Sequence, residues 1–195
     1  MTVCGFAKTR DGLGFAWADG EWYRDYEPAG SVEKLVVAGN VVGVGCGYLS
    51  LLTEFRRLVG ALGRATIESA ILSLPAQLRQ ARDRWRADLI SVGLAYNTRT
   101  AFALCGVQDG FRGFVLTDAT GFSPEERDAW SSPNVNRDVN CAADVLDFAQ
   151  AQVRFVQAVS PTATGRNLTV ARVGPAGVAQ TRVPLLLEHE RERAA

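Results

Sequence analysis

Histidine is nearly absent from this 195-residue chain; His189, in a charged C-terminal tail, is the only one. That shortage excludes most zinc sites and leaves no well-placed base for a Ser-His-Asp or Cys-His pair. Lysine is almost as scarce: of 21 basic residues only Lys8 and Lys34 are lysines, the rest being arginines. Where arginine is the default, a retained lysine stands out, so both lysines are candidates for a role. Net charge is lacking too, at a formal +0, so no global basic field points to nucleic acid or to an anionic membrane. The four cysteines, Cys4, Cys46, Cys105 and Cys141, lie far apart with no CxxC pair. Three sit in apolar surroundings and read as small hydrophobes of a reducing cytosol, with no disulfide framework. Neither a Gly-x-Gly-x-x-Gly pattern nor a phosphate-loop pattern occurs, and no basic segment leads into an apolar run at the N-terminus. No cofactor, no metal and no signal peptide are expected.

What is present is ordinary globular material, 47% hydrophobic and 22% charged, enough for one core. Residues 1–187 read as a single domain and 188–195 as a charged tail. The stretch from Leu35 to Leu52 carries no charge and is long enough for a membrane span. Gly39, Gly43, Gly45 and Gly47 interrupt it, and Gly39-Asn40 is a hairpin-turn signal. Two short buried strands leading into a helix explain it better than a membrane span.

The pattern along the chain predicts strands over Val3–Lys8 and Leu13–Asp19, joined by the turn Thr9-Arg10-Asp11-Gly12. A second hairpin pairs Lys34–Ala38 with Val41–Gly45. Helical periodicity follows over Leu49–Leu62 and Thr66–Ala87, with Pro75 predicting a kink or break in the latter. Arg79, Arg82, Arg84 and Arg86 read as a solvated face. Strands are expected at Leu89–Tyr96, Thr100–Val107 and Phe111–Thr117, then a polar loop over Asp118–Asn140. A helix over Ala142–Val159 precedes a last hairpin, Asn167–Val173 with Val178–Val183. Runs of strands alternating with runs of helices imply an α+β layered sandwich and disfavour a doubly wound nucleotide fold.

Met1-Thr2 opens the first strand, and removal of an initiator methionine before a small residue would free the Thr2 amine. A threonine hydroxyl needs a base, and its own α-amine can serve without any histidine. Asp19 ends the second strand as Ala18-Asp19, Lys34 stands thirty-two residues after Thr2, and Val44-Gly45-Cys46-Gly47-Tyr48 enters the first helix. In these residues the chain resembles the proteasome β subunits and the bacterial heat-shock peptidase, which are N-terminal-nucleophile hydrolases. The resemblance implies a four-layer αββα sandwich. It also implies Thr2 as nucleophile, Lys34 kept charged by Asp19, and the Gly47 amide facing the oxyanion. Ala163-Thr164-Gly165 matches the family's Ser-Gly turn, putting Thr164 in place of the supporting serine. Ser131, in Trp130-Ser131-Ser132-Pro133, lies near the distance of the family's other serine. Asp19 comes one residue late, implying an insertion at Thr9–Gly12. Pro161 stands where the family carries an acidic residue, and the 122–140 segment is short.

The function so implied is a cytoplasmic threonine peptidase acting on polypeptides. It would form a homo-oligomeric ring through the Leu49–Ala87 helices and be served by an ATP-dependent unfoldase. Two alternatives stay open: a catalytically inactive structural or binding subunit of the same fold, and a small-molecule amidohydrolase.

Overall fold

The computed structural model describes residues 2–24, 27–97, 99–134, 139, 142–159 and 167–184. The first hairpin forms where the alternation places it, as β1 (Cys4–Lys8) and β2 (Gly14–Asp19), with Cys4 opposite Ala18 and Lys8 opposite Gly14. The intervening turn is fixed by Thr9, whose hydroxyl donates to the Leu13 carbonyl and to the Asp11 carboxylate. A two-stranded ribbon, β3 (Glu21–Arg24) and β4 (Glu27–Ser31), connects the two predicted hairpins. The second predicted hairpin is β5 (Leu35–Ala38) and β6 (Val41–Cys46), turning at Gly39-Asn40 with Gly39 at φ +58°.

Helix α1 (Leu49–Gly60) buries Leu51, Leu52, Phe55, Leu58 and Val59. Helix α2 runs unbroken from Ile67 to Ser91, capped by the Thr66 hydroxyl, which accepts from the Ser69 amide. Pro75 lies inside it, so the expected break is absent. The strand expected at Leu89–Tyr96 is absent as well: α2 continues through Ser91 and ends at Gly93, which takes φ +77°. Strands β7 (Ala101–Val107) and β8 (Phe111–Thr117) follow, with a short 3-10 turn at Asp118–Thr120. The expected loop over 118–140 contains two further strands, β9 (Pro124–Glu126) and β10 (Ala129–Ser132). Helix α3 (Ala142–Val159) and the hairpin β11 (Asn167–Gly174) with β12 (Gly177–Pro184) complete the described chain.

The expectation of a four-layer αββα sandwich is corrected. The molecule is strand-rich, with two five-stranded antiparallel sheets and, among the described residues, only three α-helices. One sheet runs β10-β1-β2-β11-β12 and the other β5-β6-β7-β8-β9. The physical reason lies in the segments misread from local pattern. The chain after Leu89 adds to α2 instead of adding a strand, and 124–132 supplies an edge strand to each sheet. Helical cover is unequal: α1 and α2 pack on the second sheet, whereas α3 alone packs on the first.

Three apolar clusters hold this arrangement. Cys4, Phe6, Ala16 and Ala18 meet Val42, Val44, Ala103 and Val115 between the sheets. Phe55 stacks on Phe102 at 4.3 Å beneath α1 and α2. Trp17, Phe148 and Val153 pack under α3. All six residues of β2 are buried, which explains why its sequence is nearly continuously apolar. Burying Phe55 or Trp17 alone is worth roughly 1.5–3 kcal/mol or more of transfer free energy. The apolar stripe of α1 packs within the chain's own core. Among the described residues, no helix is long and apolar enough to cross a membrane.

Candidate active site

The site is built where β1 begins and β2 ends, beside the entry to β5. The β1–β2 ladder extends past its last strand pair, since the Asp19 amide donates to the Val3 carbonyl at 2.8 Å. The Val3 amide in turn donates to Asp19 Oδ1 at 3.1 Å. Lys34 Nζ donates to that same oxygen at 2.7 Å, and both side chains of the ion pair are only 2% exposed. Burial pushes the Asp19 carboxyl up, and the Lys34 charge pulls it back only in part. One carboxylate oxygen therefore gathers an ammonium and the amide next to Thr2.

Thr2 is half-buried at the head of β1. Its attachment to the pair runs through the backbone of Val3, with no hydrogen bond from its hydroxyl to Asp19 or Lys34. Gly47 is exposed just beyond β6, at φ +122°. A Cβ there would fall 2.5 Å from Thr100 Oγ1, so only glycine fits the turn. The next amide, that of Tyr48, donates to Thr100 Oγ1 at 3.4 Å, fixing the loop to the start of β7.

Ser131 lies elsewhere. It pairs with Gly5 in β10, and its hydroxyl donates to the Pro133 carbonyl at 3.2 Å. Alternation puts Ser132 rather than Ser131 on the side of Cys4, its register partner. Thr164 and Pro161 lie outside the described residues. The structure thus brings Asp19 and Lys34 together, ties Thr2's neighbour to them, and separates Ser131 from them.

Sequence reasoning missed four contributors. Cys4 is buried in the inter-sheet cluster, Cys46 packs against that cluster, and Ser132 stands opposite Cys4 in the register of β10. Their separation in sequence hides the shared cluster; an apolar-flanked cysteine looks like filler. Gln152, fully buried on α3, accepts from Trp17 Nε1 at 2.7 Å and donates to the Pro133 carbonyl at 2.7 Å. It anchors the end of β10 against the first sheet. Its one signal was a glutamine on the apolar face of a helix. Among the described residues, no group of three or more His, Cys, Asp or Glu could hold a metal ion. Compared with known proteins, the chain matches no family model and no curated relative.

The arginines expected to be a solvated face of α2 are partly engaged. Arg79 donates to the Gly121 carbonyl at 3.1 Å, and Arg82 reaches buried Asp118 at 3.3 Å. Tyr96 donates a short hydrogen bond to the other oxygen of Asp118.

Proposed function

We propose that the chain is a hydrolase of the N-terminal-nucleophile type, acting on peptide bonds through Thr2 once Met1 is removed. The observation that carries this reading is the buried Lys34–Asp19 pair, placed on the amide that follows Thr2. A lysine buried to this extent is costly, and the pairing offsets only part of the cost, which argues for a role other than stability. In the reaction, the Thr2 amine takes the hydroxyl proton as Thr2 Oγ1 attacks the substrate carbonyl carbon. The Lys34 charge favours the alkoxide, and the Gly47 amide faces the developing oxyanion. The amine then returns its proton to the leaving nitrogen, and water hydrolyses the acyl-threonine ester.

The same reading places the protein in the cytoplasm, with polypeptide as substrate, other copies of itself as partners in a ring, and an ATP-driven unfoldase feeding it. Leu72, Ile90, Val92 and Leu94 leave apolar surface on α2 and the turn after it, which supports contact between copies. The resemblance to proteasome-type peptidases supports the remainder.

The test is intact mass spectrometry after exposure to a threonine-directed electrophile such as an epoxyketone. The expected result is a single adduct on a chain lacking Met1, absent from Thr2→Ala and from Lys34→Ala. An unmodified protein that retains Met1 would overturn the reading.

A further inference from the structure

The turn that carries the Gly47 amide is held by a hydroxyl from the neighbouring strand. The β6–β7 ladder ends with Cys46 opposite Ala101, so Gly47 falls opposite Thr100 one step beyond the last pair. There the chain leaves the ladder: Gly47 turns to φ +122°, and Tyr48 stands at the head of α1 with no side-chain cap of its own. The amides at a helix start need acceptors from elsewhere. Thr100, fully buried, supplies one, since its Oγ1 accepts from the Tyr48 amide at 3.4 Å. That bond is long, and steric fit adds to it. A Cβ on Gly47 would lie 2.5 Å from Thr100 Oγ1, 2.6 Å from its Cα and 2.8 Å from its Cβ, so the Gly47 backbone rests directly on this residue.

Both ends of the arrangement are tied down. The Thr100 carbonyl accepts from the Asp118 backbone amide at 3.0 Å, which fixes Thr100 to the end of β8. The Tyr48 hydroxyl accepts from the Asn97 amide at 3.0 Å. Tyr48 is thus anchored through its amide and through its hydroxyl, each time on the chain leading into β7.

We propose that Thr100 is a positioning residue for hydrolysis, its hydroxyl holding the Gly47–Tyr48 turn so that the Gly47 amide points at the substrate's developing oxyanion. The proposal rests on the peptidase reading above. Gly47 has no side chain to fix its own backbone, so the direction of its amide is set by what its neighbours bind. An oxyanion donor works by being aimed before the charge develops. Loss of the Thr100 hydroxyl therefore weakens transition-state stabilisation more than substrate binding, and Thr100 acts only through the turn.

The test compares Thr100→Val, which keeps the shape and removes the hydroxyl, with Thr100→Ser, which keeps the hydroxyl. The full-length protein is assayed on a panel of fluorogenic tripeptide amides. Hydrogen exchange is read by mass spectrometry on peptides spanning Gly47 and Tyr48. Thr100→Val should lower kcat about tenfold with KM within about twofold, and should speed exchange at the turn. Thr100→Ser should recover most of the lost kcat and restore slow exchange. Should Thr100→Val lack a cooperative thermal transition, Thr100→Ala takes its place with the same expectations. In an active protein, an unchanged kcat or unchanged exchange in the hydroxyl-free variant would overturn the proposal alone. So would an equal loss in Thr100→Ser, which would trace the effect to bulk. An unsubstituted protein with neither peptide hydrolysis nor a Thr2 adduct would overturn the peptidase reading and this proposal with it.

Discussion

Two aspartates are buried among the described residues, each holding a cation, and their settings differ. Asp118, at the end of β8, is 3% exposed and shares its two oxygens between Tyr96 and Arg82, with the Arg82 guanidinium partly in water. Its partners span α2 and the segment after it, so the cluster clamps a long helix to the second sheet. Asp19 is equally buried, but its cation is a lysine sealed away with it, and one oxygen accepts from both the lysine and the Val3 amide. A guanidinium that keeps one side in water loses less hydration than an ammonium with almost no exposed surface. The clamp thus serves stability, while the Asp19–Lys34 pair gives up stability to keep a charge beside the head of β1.

The sharpest way to break this comparison is Lys34→Ala. It strands a buried carboxylate and should destabilise the fold by about 3–5 kcal/mol in urea unfolding, with hydrolysis lost. Pairing Lys34→Met with Asp19→Asn should restore most of the stability while leaving activity absent. If the double variant is as unstable as the single one, the pair is a structural element like Asp118. Asp118→Ala comes next. It leaves Tyr96 and Arg82 without their acceptor and should cost about 1–3 kcal/mol, with hydrolysis by the folded fraction unchanged.

A smaller effect concerns pH. The Asp19 carboxyl sits above its ordinary value because burial outweighs Lys34. As pH rises from about 3.9, the unfolded chain releases this proton while the folded chain retains it. The folded state then binds more protons, so the contribution is present at low pH and is lost as pH rises through the raised value. The stability of the unsubstituted protein minus that of Asp19→Asn should therefore fall with rising pH; a difference that grows would reverse the assignment. Smallest of all is Arg84→Ala. Arg84 is 68% exposed and 3.8 Å from Glu54, and its loss should change the unfolding free energy by less than ~0.5 kcal/mol.

Much of the site's framework was legible because it is local. The β1–β2 turn, the Gly39-Asn40 hairpin and the stripe of α1 each carry their own signal within a dozen residues. Lys34 stood out against an arginine background, and its partnership with Asp19 followed from the cost of burying an ammonium alone. The unread parts depend on distant partners. Leu89–Tyr96 has a strand-like composition, yet α2, which carries Pro75 without breaking, continues to Ser91 and meets its first glycine only at Gly93. β9 is Pro-Glu-Glu, with no buried residue, and exists because β8 offers it a backbone to pair with. That Cys4 and Cys46 adjoin the same cluster needs both sheets in place before it can be seen.

β9 has a further bearing, on how the protein behaves when crowded. It is the outermost strand beside β8, whose Phe114, Val115 and Leu116 make a sticky run of the kind that stacks into fibrils. A proline there offers no amide to an incoming strand, and Glu125 and Glu126 would face their own copies in any in-register stack. Three residues with little part in the core thus act as a chaperone written into the chain, keeping neighbouring molecules from zipping onto its most aggregation-prone strand.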